Sequence, residues 1–503
     1  MSDNKRIAKN TLFLYFRMIL IMAVTLYMSR IVLNKLGIDD FGLYNVVGGV
    51  VGILSFLNGT LSIGTSRFLA YELGTGNIGK LKQTFSTAFY VHLFLSIIIL
   101  LSMETIGLWF LYHKLIIPPD RLAACVWVFQ MSILTTIVSI TQVPYTAMIM
   151  AHERMEVYAY ISIFEALAKL GVCYLLSVGS VDRLIEYAVL LALVQIIVSI
   201  IYRFYCVRNF SESKLTFVFD KSISRDLLSF SGWNIMANLS NTLGQQGTLI
   251  LINLFFTSVI AAAQSIAAQV SGAIMVFVGN FRSAINPQII KLYAANKKED
   301  SKKLTLETTI YCFDLILMLG LPAIVVMDKL MHIWLVDVPD YAVVFTQWII
   351  AKQIIGTFSS SFYIPMMAAN KMKENSLAAL VLGISEFVLV YFFLKIGFGP
   401  MWIQYLSIIA MIFFSMLVKP YVLIKHIDYS LKEITICYWI CLKTLILSCV
   451  IFIIPICFLG DSLIDSIMKV IIVGISVLIS SYVFLGKQTK EKLKLLVISK
   501  IKS

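Results

Sequence analysis

Apolar runs of roughly 20 or more residues follow one another from Thr11 to Gly486, separated by short polar breaks. Each is long enough to cross about 30 Å of hydrocarbon as a helix. The pattern predicts about fourteen spans, near 11–33, 41–63, 84–111, 122–149, 157–179, 183–206, 227–256, 258–285, 305–327, 341–367, 376–397, 400–424, 434–459 and 463–486. The runs are continuous and rich in Leu and Ile, without the alternating ten-residue segments of a lipid-facing strand. An all-α, polytopic membrane bundle is therefore expected, and a barrel is not. Met1 to Asn10 is polar and basic, but the apolar stretch behind it runs past twenty residues without a small-residue cleavage site, so the first span is expected to be its own anchor.

Sparse markers repeat in order. Pro119-Asp120 recurs as Pro339-Asp340, Pro144 as Pro365 and Glu165 as Glu386, at offsets of about 220 residues. Six spans precede the second copy, so both copies enter the membrane in the same direction and the repeat is parallel. The expected organisation is an N-lobe at 1–206, a cytoplasmic interlobe linker at 207–226, a C-lobe at 227–430, and an appendage of two spans with a basic tail at 431–503. A central cavity is expected between the lobes. Within the linker, Asp220-Lys221-Ser222 precedes an amphipathic stretch from Ile223 to Phe230, which reads as lying along the membrane surface.

Composition agrees with this picture. The chain is 59% apolar and 14% charged, and its mean hydropathy is +0.88, beyond what a soluble core needs. With both termini inside, 29 of the 41 Lys and Arg residues fall on cytoplasmic segments and 7 on the other side. That bias fixes the orientation and accounts for the net charge of +13 without a nucleic-acid partner. The five histidines are scattered and the eight cysteines contain no CxxC. No metal site, catalytic residue, bound cofactor or disulfide framework is expected.

Leu36-Gly37-Ile38-Asp39-Asp40-Phe41-Gly42-Leu43-Tyr44 follows the first span and precedes a Gly-rich second one. It resembles the "LG…FG-Y" turn of Wzx-type polysaccharide flippases of the multidrug/oligosaccharidyl-lipid/polysaccharide exporter superfamily. Phe230-Ser231-Gly232-Trp233-Asn234 and Asn286-Pro287-Gln288 add to the likeness, which covers about residues 5–430. The resemblance implies translocation of an undecaprenyl-diphosphate-linked oligosaccharide from the cytoplasmic to the outer leaflet of a bacterial inner membrane, for surface polysaccharide such as the O-antigen of lipopolysaccharide. It also leaves open a polysaccharide polymerase and other assembly proteins as partners. The superfamily contains drug/cation antiporters too, so an ion-coupled multidrug antiporter is the alternative.

Charges inside hydrocarbon cost several kcal/mol (about 2.5 to 3.5 on insertion scales) and mark candidate sites. Arg17, Lys169, Lys352, Lys443 and Lys469 all fall inside predicted spans. A diphosphate or an acidic sugar suits fixed cations, with Arg able to present a bidentate fork. Arg17, about 9 Å into span 1 from the cytoplasmic side, is the leading candidate, with snorkelling as the competing reading. Arg30 lies about 140° around the same helix, and Arg67 and Arg282 end spans 2 and 8 on the cytoplasmic side. With Lys352 these form the expected anionic-headgroup set. Glu165 and Lys169, four apart on span 5, suit an intrahelical pair. In the second copy Glu386 keeps the acid while Val390 replaces the base, and Lys352 is a candidate partner. Asp314 has no mate in its own helix, and with Glu165, Lys169 and Glu386 it makes the candidate set for coupling to a proton or sodium gradient.

Asn234, Asn238, Asn241 and Gln245 form one stripe on span 7, and Gln264, Gln269 and Asn280 continue the amide character on span 8. Such stripes either contact sugar hydroxyls or glue helices together. Gly48-Gly49 and Gly52 are expected to permit close helix packing or bending.

Overall fold

In a computed structural model of the chain, the described residues are 2–152, 154–176, 182–369, 371 and 373–484. They are helical and include no strand. In order the helices are α1 (Ser2–Leu36), α2 (Ile38–Gly52), α3 (Ser55–Thr75), α4 (Ile78–Ser102), α5 (Leu108–His113), α6 (Leu122–Ala151), α7 (Met155–Leu175), α8 (Arg183–Asn209), α9 (Lys221–Thr242) and α10 (Thr248–Phe255). There follow α11 (Ser258–Ala294), α12 (Lys298–Val325), α13 (Met327–Trp334), α14 (Ala342–Ser361), α15 (Tyr363–Ala368), α16 (Lys373–Ile396), α17 (Met401–Phe413), α18 (Lys419–Ile427), α19 (Leu431–Cys457) and α20 (Leu463–Phe484). Among the described residues, eleven helical stretches are long and apolar enough to cross a membrane.

The other three expected spans are helical and do not count among these stretches. The run at 41–63 divides into α2 and α3 at Ile53 and Leu54. Its glycines permit the bend: a Cβ on Gly49 would lie 3.1 Å from Gln246 Oε1, and one on Gly52 would lie 3.3 Å from Gln246 Cδ. The run at 227–256 becomes α9 and α10, joined by a π turn at Leu243–Gly247. The run at 341–367 breaks at Phe362, where Pro365 has no N–H to offer the carbonyl four residues earlier.

The chain forms two compact units. The first comprises Met1–Ile266, Leu335–Ala342 and Ala379–Ile403; the second comprises Ala267–Trp334, Val343–Ala378 and Gln404–Ser503. Their boundary falls inside α11, beyond the linker at 207–226.

Backbone hydrogen bonds bound the helices at both ends: Arg121 N–H bonds Pro118 O at 2.9 Å just before α6, and Ala342 N–H bonds Pro339 O at 3.0 Å at the start of α14. Past the ends of α6 and α15, Arg154 N–H reaches Ile149 O at 3.0 Å and Lys371 N–H reaches Met366 O at 2.9 Å.

The turn after α1 has a physical logic residue by residue. Gly37 takes φ +82°, which favours glycine. Gly42 lies against the backbone of Ser258, where a Cβ would fall 2.0 Å from the carbonyl oxygen. Asp39 accepts a hydrogen bond from Ser258 Oγ at 2.6 Å, and Tyr44 packs on Tyr187 with ring centroids 4.9 Å apart.

The linker leads directly into a helix. Residues 221–230 are the first turns of α9, with Asp220 capping the N–H groups of Ser222 and Ile223. Upstream, residues 211–220 run beside α4. Glu212 is held by His152 at 2.7 Å, and that imidazole stacks on Phe210 at 4.0 Å.

Candidate functional site

Fixed charge within the helices divides into groups whose partners are met and groups whose partners are not. On α7, Lys169 Nζ donates to Glu165 Oε1 at 2.6 Å across one turn. The pair is closed and neutral. Lys469 similarly meets Asp461 at 3.1 Å, and Lys443 lies over the rings of Trp439 at 5.4 Å and Phe484 at 5.9 Å.

Two arginines are different. Arg282, half-buried on α11 in the second unit, has its Nη1 buried without a hydrogen-bond partner. Cys312 of α12 is its electrostatic neighbour, and among the described residues no carboxylate pairs with it. One turn further along α11, Asn286 Oδ1 is also buried and unpartnered. In the first unit Arg203 lies on α8, six residues before its end. Its Nη2 donates to Thr141 Oγ1 at 2.8 Å, its guanidinium stands 5.7 Å from the Tyr145 ring, and its Nε is buried without a partner. Its position six residues inside the helix end is the sequence signal that it sits deeper than a cytoplasmic loop cation.

Lys419 is 2% exposed and rests over the rings of Tyr363 at 5.5 Å and Phe414 at 5.0 Å. It opens α18 directly after a π turn at Phe414–Val418. Its position inside an apolar run, followed by Pro420, was the sequence signal.

The remaining candidates are placed as follows. Arg17, Asn234 and Asn241 have side chains outside the described set. Arg30 and Arg67 are exposed on α1 and α3, and Lys352 is half-buried on α14. Glu386, on α16, belongs to the first unit and Lys352 to the second. Asp314 on α12 is directed at the C-terminal helices: its electrostatic neighbours are Ser481 of α20 and Cys441 of α19, and its Oδ1 is buried without a hydrogen-bond partner.

Asn238 is half-buried on α9, and Gln245 is exposed in the π turn. Gln269 and Gln264 are half-buried, and Asn280 donates to Val276 O within its own helix at 2.7 Å. Ser240 faces α16, donating to Ala379 O at 2.7 Å. Asn238 lies about 160° around α9 from Ser240, away from α16.

One further cluster organises the first unit. Arg121 forks onto Asp40 through Nε at 2.9 Å and through Nη2. It forks onto Asp182 at 2.5 and 3.2 Å. A single guanidinium thus ties the starts of α2, α6 and α8. Burial pushes the Asp40 carboxyl up, and Arg121 only partly offsets this while Asp182 and Asp39 add to it. Asp182 also feels burial, but Arg121 and the N–H groups of Ile185 and Leu184 more than offset it and hold the carboxyl below its ordinary value.

No family model matches the chain, and no curated protein matches its sequence. Solved structures do. The lipid II flippase MurJ in an inward closed conformation matches with a TM-score of 0.69 at 13% identity, over 95% of this chain and 98% of that one. The MATE multidrug transporter DinF-BH in complex with R6G matches with a TM-score of 0.63 at 14% identity, over 84% and 96%. A MOP superfamily transporter from Pyrococcus furiosus, whose binding pocket is described as having reverse polarity, matches with a TM-score of 0.61 at 13% identity, over 84% and 97%. The chain has the fold of MOP superfamily transporters.

Proposed function

We propose that this protein flips an undecaprenyl-diphosphate-linked oligosaccharide from the cytoplasmic to the outer leaflet of the inner membrane, by alternating access, for surface polysaccharide synthesis. The observation that carries this reading is that two arginines, Arg203 and Arg282, keep donors buried and unpartnered. A guanidinium with spare N–H groups suits the oxygens of a diphosphate. Arg17, Arg30, Arg67 and Lys352 extend the proposed cationic set. Asn238, Gln245 and Gln269 are proposed sugar contacts, with Asn234, Asn241 and Asn280. The proposed membrane orientation has both termini in the cytoplasm.

Ion-coupled antiport keeps one observation in its favour, the unpartnered oxygen of Asp314. In the flippase reading the same carboxylate is the coupling site for a proton or sodium ion.

The test is reconstitution in liposomes containing a fluorescent undecaprenyl-diphosphate oligosaccharide, following its exposure to an external probe. Wild type should expose the lipid faster than protein-free liposomes, and Arg282→Ala should lose about 10-fold or more of that rate, as expected for one hydrogen bond to a charged group. No exposure above background, together with cation efflux abolished by Asp314→Asn, would assign the antiporter function instead.

A further inference from the structure

Between α8 and α9 the chain displays Leu215, Phe217, Val218 and Phe219 with little protein cover. Phe217 is fully exposed, and the other three are 42%, 46% and 55% exposed. Four apolar side chains in five residues, all turned outward, mark an interaction surface.

The loop is held in this posture by hydrogen bonds along its length. Thr216 N–H bonds Ser86 Oγ at 3.1 Å, its hydroxyl pairs with the same oxygen at 3.0 Å, and its carbonyl accepts from Tyr90 OH at 3.2 Å. Asp220 N–H bonds Thr87 Oγ1 at 3.1 Å, and Gln83 Nε2 bonds Asp220 Oδ2 at 3.1 Å. At the other end Glu212 is fixed by His152. The polar groups of the loop are therefore spent on α4 and on His152, just past the end of α6, and its apolar groups are left exposed.

These contacts also set the level of the loop. Ser86 and Tyr90 lie in the first turns of the span predicted to begin at residue 84, so Phe217 and Phe219 stand where the hydrocarbon of that leaflet starts. Lys214, Lys221 and Arg225 flank the run. All three are exposed, and none takes part in an ion pair among the described residues. Apolar tips beside unpaired cations are the chemistry of a surface that enters an anionic headgroup layer.

We propose that residues 214–225 form a phospholipid-binding ledge: Phe217 and Phe219 insert between acyl chains at the headgroup boundary, and Lys214, Lys221 and Arg225 hold anionic headgroups. The name of the leaflet, cytoplasmic, rests on the orientation proposed above; the ledge itself does not.

The test places bimane on Phe217→Cys, in a Cys449→Ser/Cys457→Ser background that removes the cysteines not fully buried, in nanodiscs. Lipids carrying nitroxide near the headgroup or deep in the chain serve as quenchers. Emission should be blue-shifted and quenched more by the shallow nitroxide than by the deep one. Nitroxide-labelled phosphatidylglycerol should quench several-fold more strongly than the phosphatidylcholine analogue, and that preference should vanish in Lys214→Gln/Lys221→Gln/Arg225→Gln. Water-like emission quenched by neither lipid would overturn the ledge and assign the run to a soluble protein partner. Equal quenching by both headgroups would overturn the anionic part. Flipping is not the readout, so loss of the proposed transport and loss of the ledge are separately visible.

Discussion

Ser240 on α9 approaches Gly383 on α16 so closely that a Cβ at position 383 would lie 2.1 Å from Ser240 Oγ and 3.3 Å from its Cα. The hydroxyl is committed to Ala379 O at 2.7 Å and the Cα is backbone, so neither yields freely. Seven residues along, in the π turn that follows α9, a Cβ on Gly247 would meet the Phe387 ring at 2.9 Å. Small residues let these helices approach, and dispersion between close backbones holds them.

Gly383→Ala should therefore destabilise the protein by about 1 to 3 kcal/mol through overpacking. Thermal unfolding in detergent measures this. Ser240→Gly in the Gly383→Ala background should recover part of the loss, and no recovery would place the strain elsewhere.

Acidification should act first on the Arg121 cluster. Asp40 has its carboxyl raised in the fold, so it takes up a proton as pH falls before Asp182 does. Asp182 is depressed: its contribution is present above the unfolded-state value near 4 and is lost only as pH falls through its lower folded value. Asp182→Asn should thus cost about 1 to 2 kcal/mol at pH 7, discounted for partial exposure, and Asp40→Asn should cost less. Melting curves of both variants between pH 7 and pH 4 check the order; a larger loss for Asp40→Asn at pH 7 would reverse it.

What the sequence discloses depends on how local the physics is. Helical runs follow from apolar length alone, and the Glu165–Lys169 pair follows from four-residue spacing, so both are legible. The glycines of span 2 announce a bend, but Gln246, the group they accommodate, lies about 200 residues away and leaves no periodic signal. Arg203 and Lys419 were hidden for a related reason. Near the ends of spans, the excess of cations on one side of a membrane explains any single one. Their settings are made by Thr141 and Tyr145, and by Tyr363 and Phe414, from other helices. Asp314 was visible as a deep acid, yet that it looks toward α19 and α20 is set by packing of the last two helices, which no spacing within α12 encodes.

The pair on α7 gives a sharper expectation. Lys169→Met leaves the Glu165 carboxylate unpaired in a half-buried site, at a cost of about 1 to 2 kcal/mol once partial exposure is allowed for. The Glu165→Gln/Lys169→Met double variant should recover most of it, because no charge then lacks a partner. Unfolding temperatures of the two singles and the double make the cycle. If Glu165 instead carried the coupling ion, the double variant would be stable and inactive; in the neutral-pair reading it is stable and retains transport.

Arg203 separates a binding role from a packing role. Thr141 Oγ1 keeps its own hydrogen bonds to Ile137 O at 2.9 Å and Val138 O at 3.1 Å, so removing the guanidinium strands no hydroxyl. What is lost from the fold is the stacking on Tyr145 and one hydrogen bond, together about 1 to 2 kcal/mol. If the unpartnered Nε face receives a phosphate oxygen during the cycle, Arg203→Ala should also lower the flipping rate about 10-fold. Arg203→Lys should keep a cation but not the planar fork, and should fall between the two. Measuring flipping and unfolding on the same preparations distinguishes the roles: a rate loss in Arg203→Lys at unchanged unfolding temperature marks phosphate recognition, and a parallel fall of both marks packing alone.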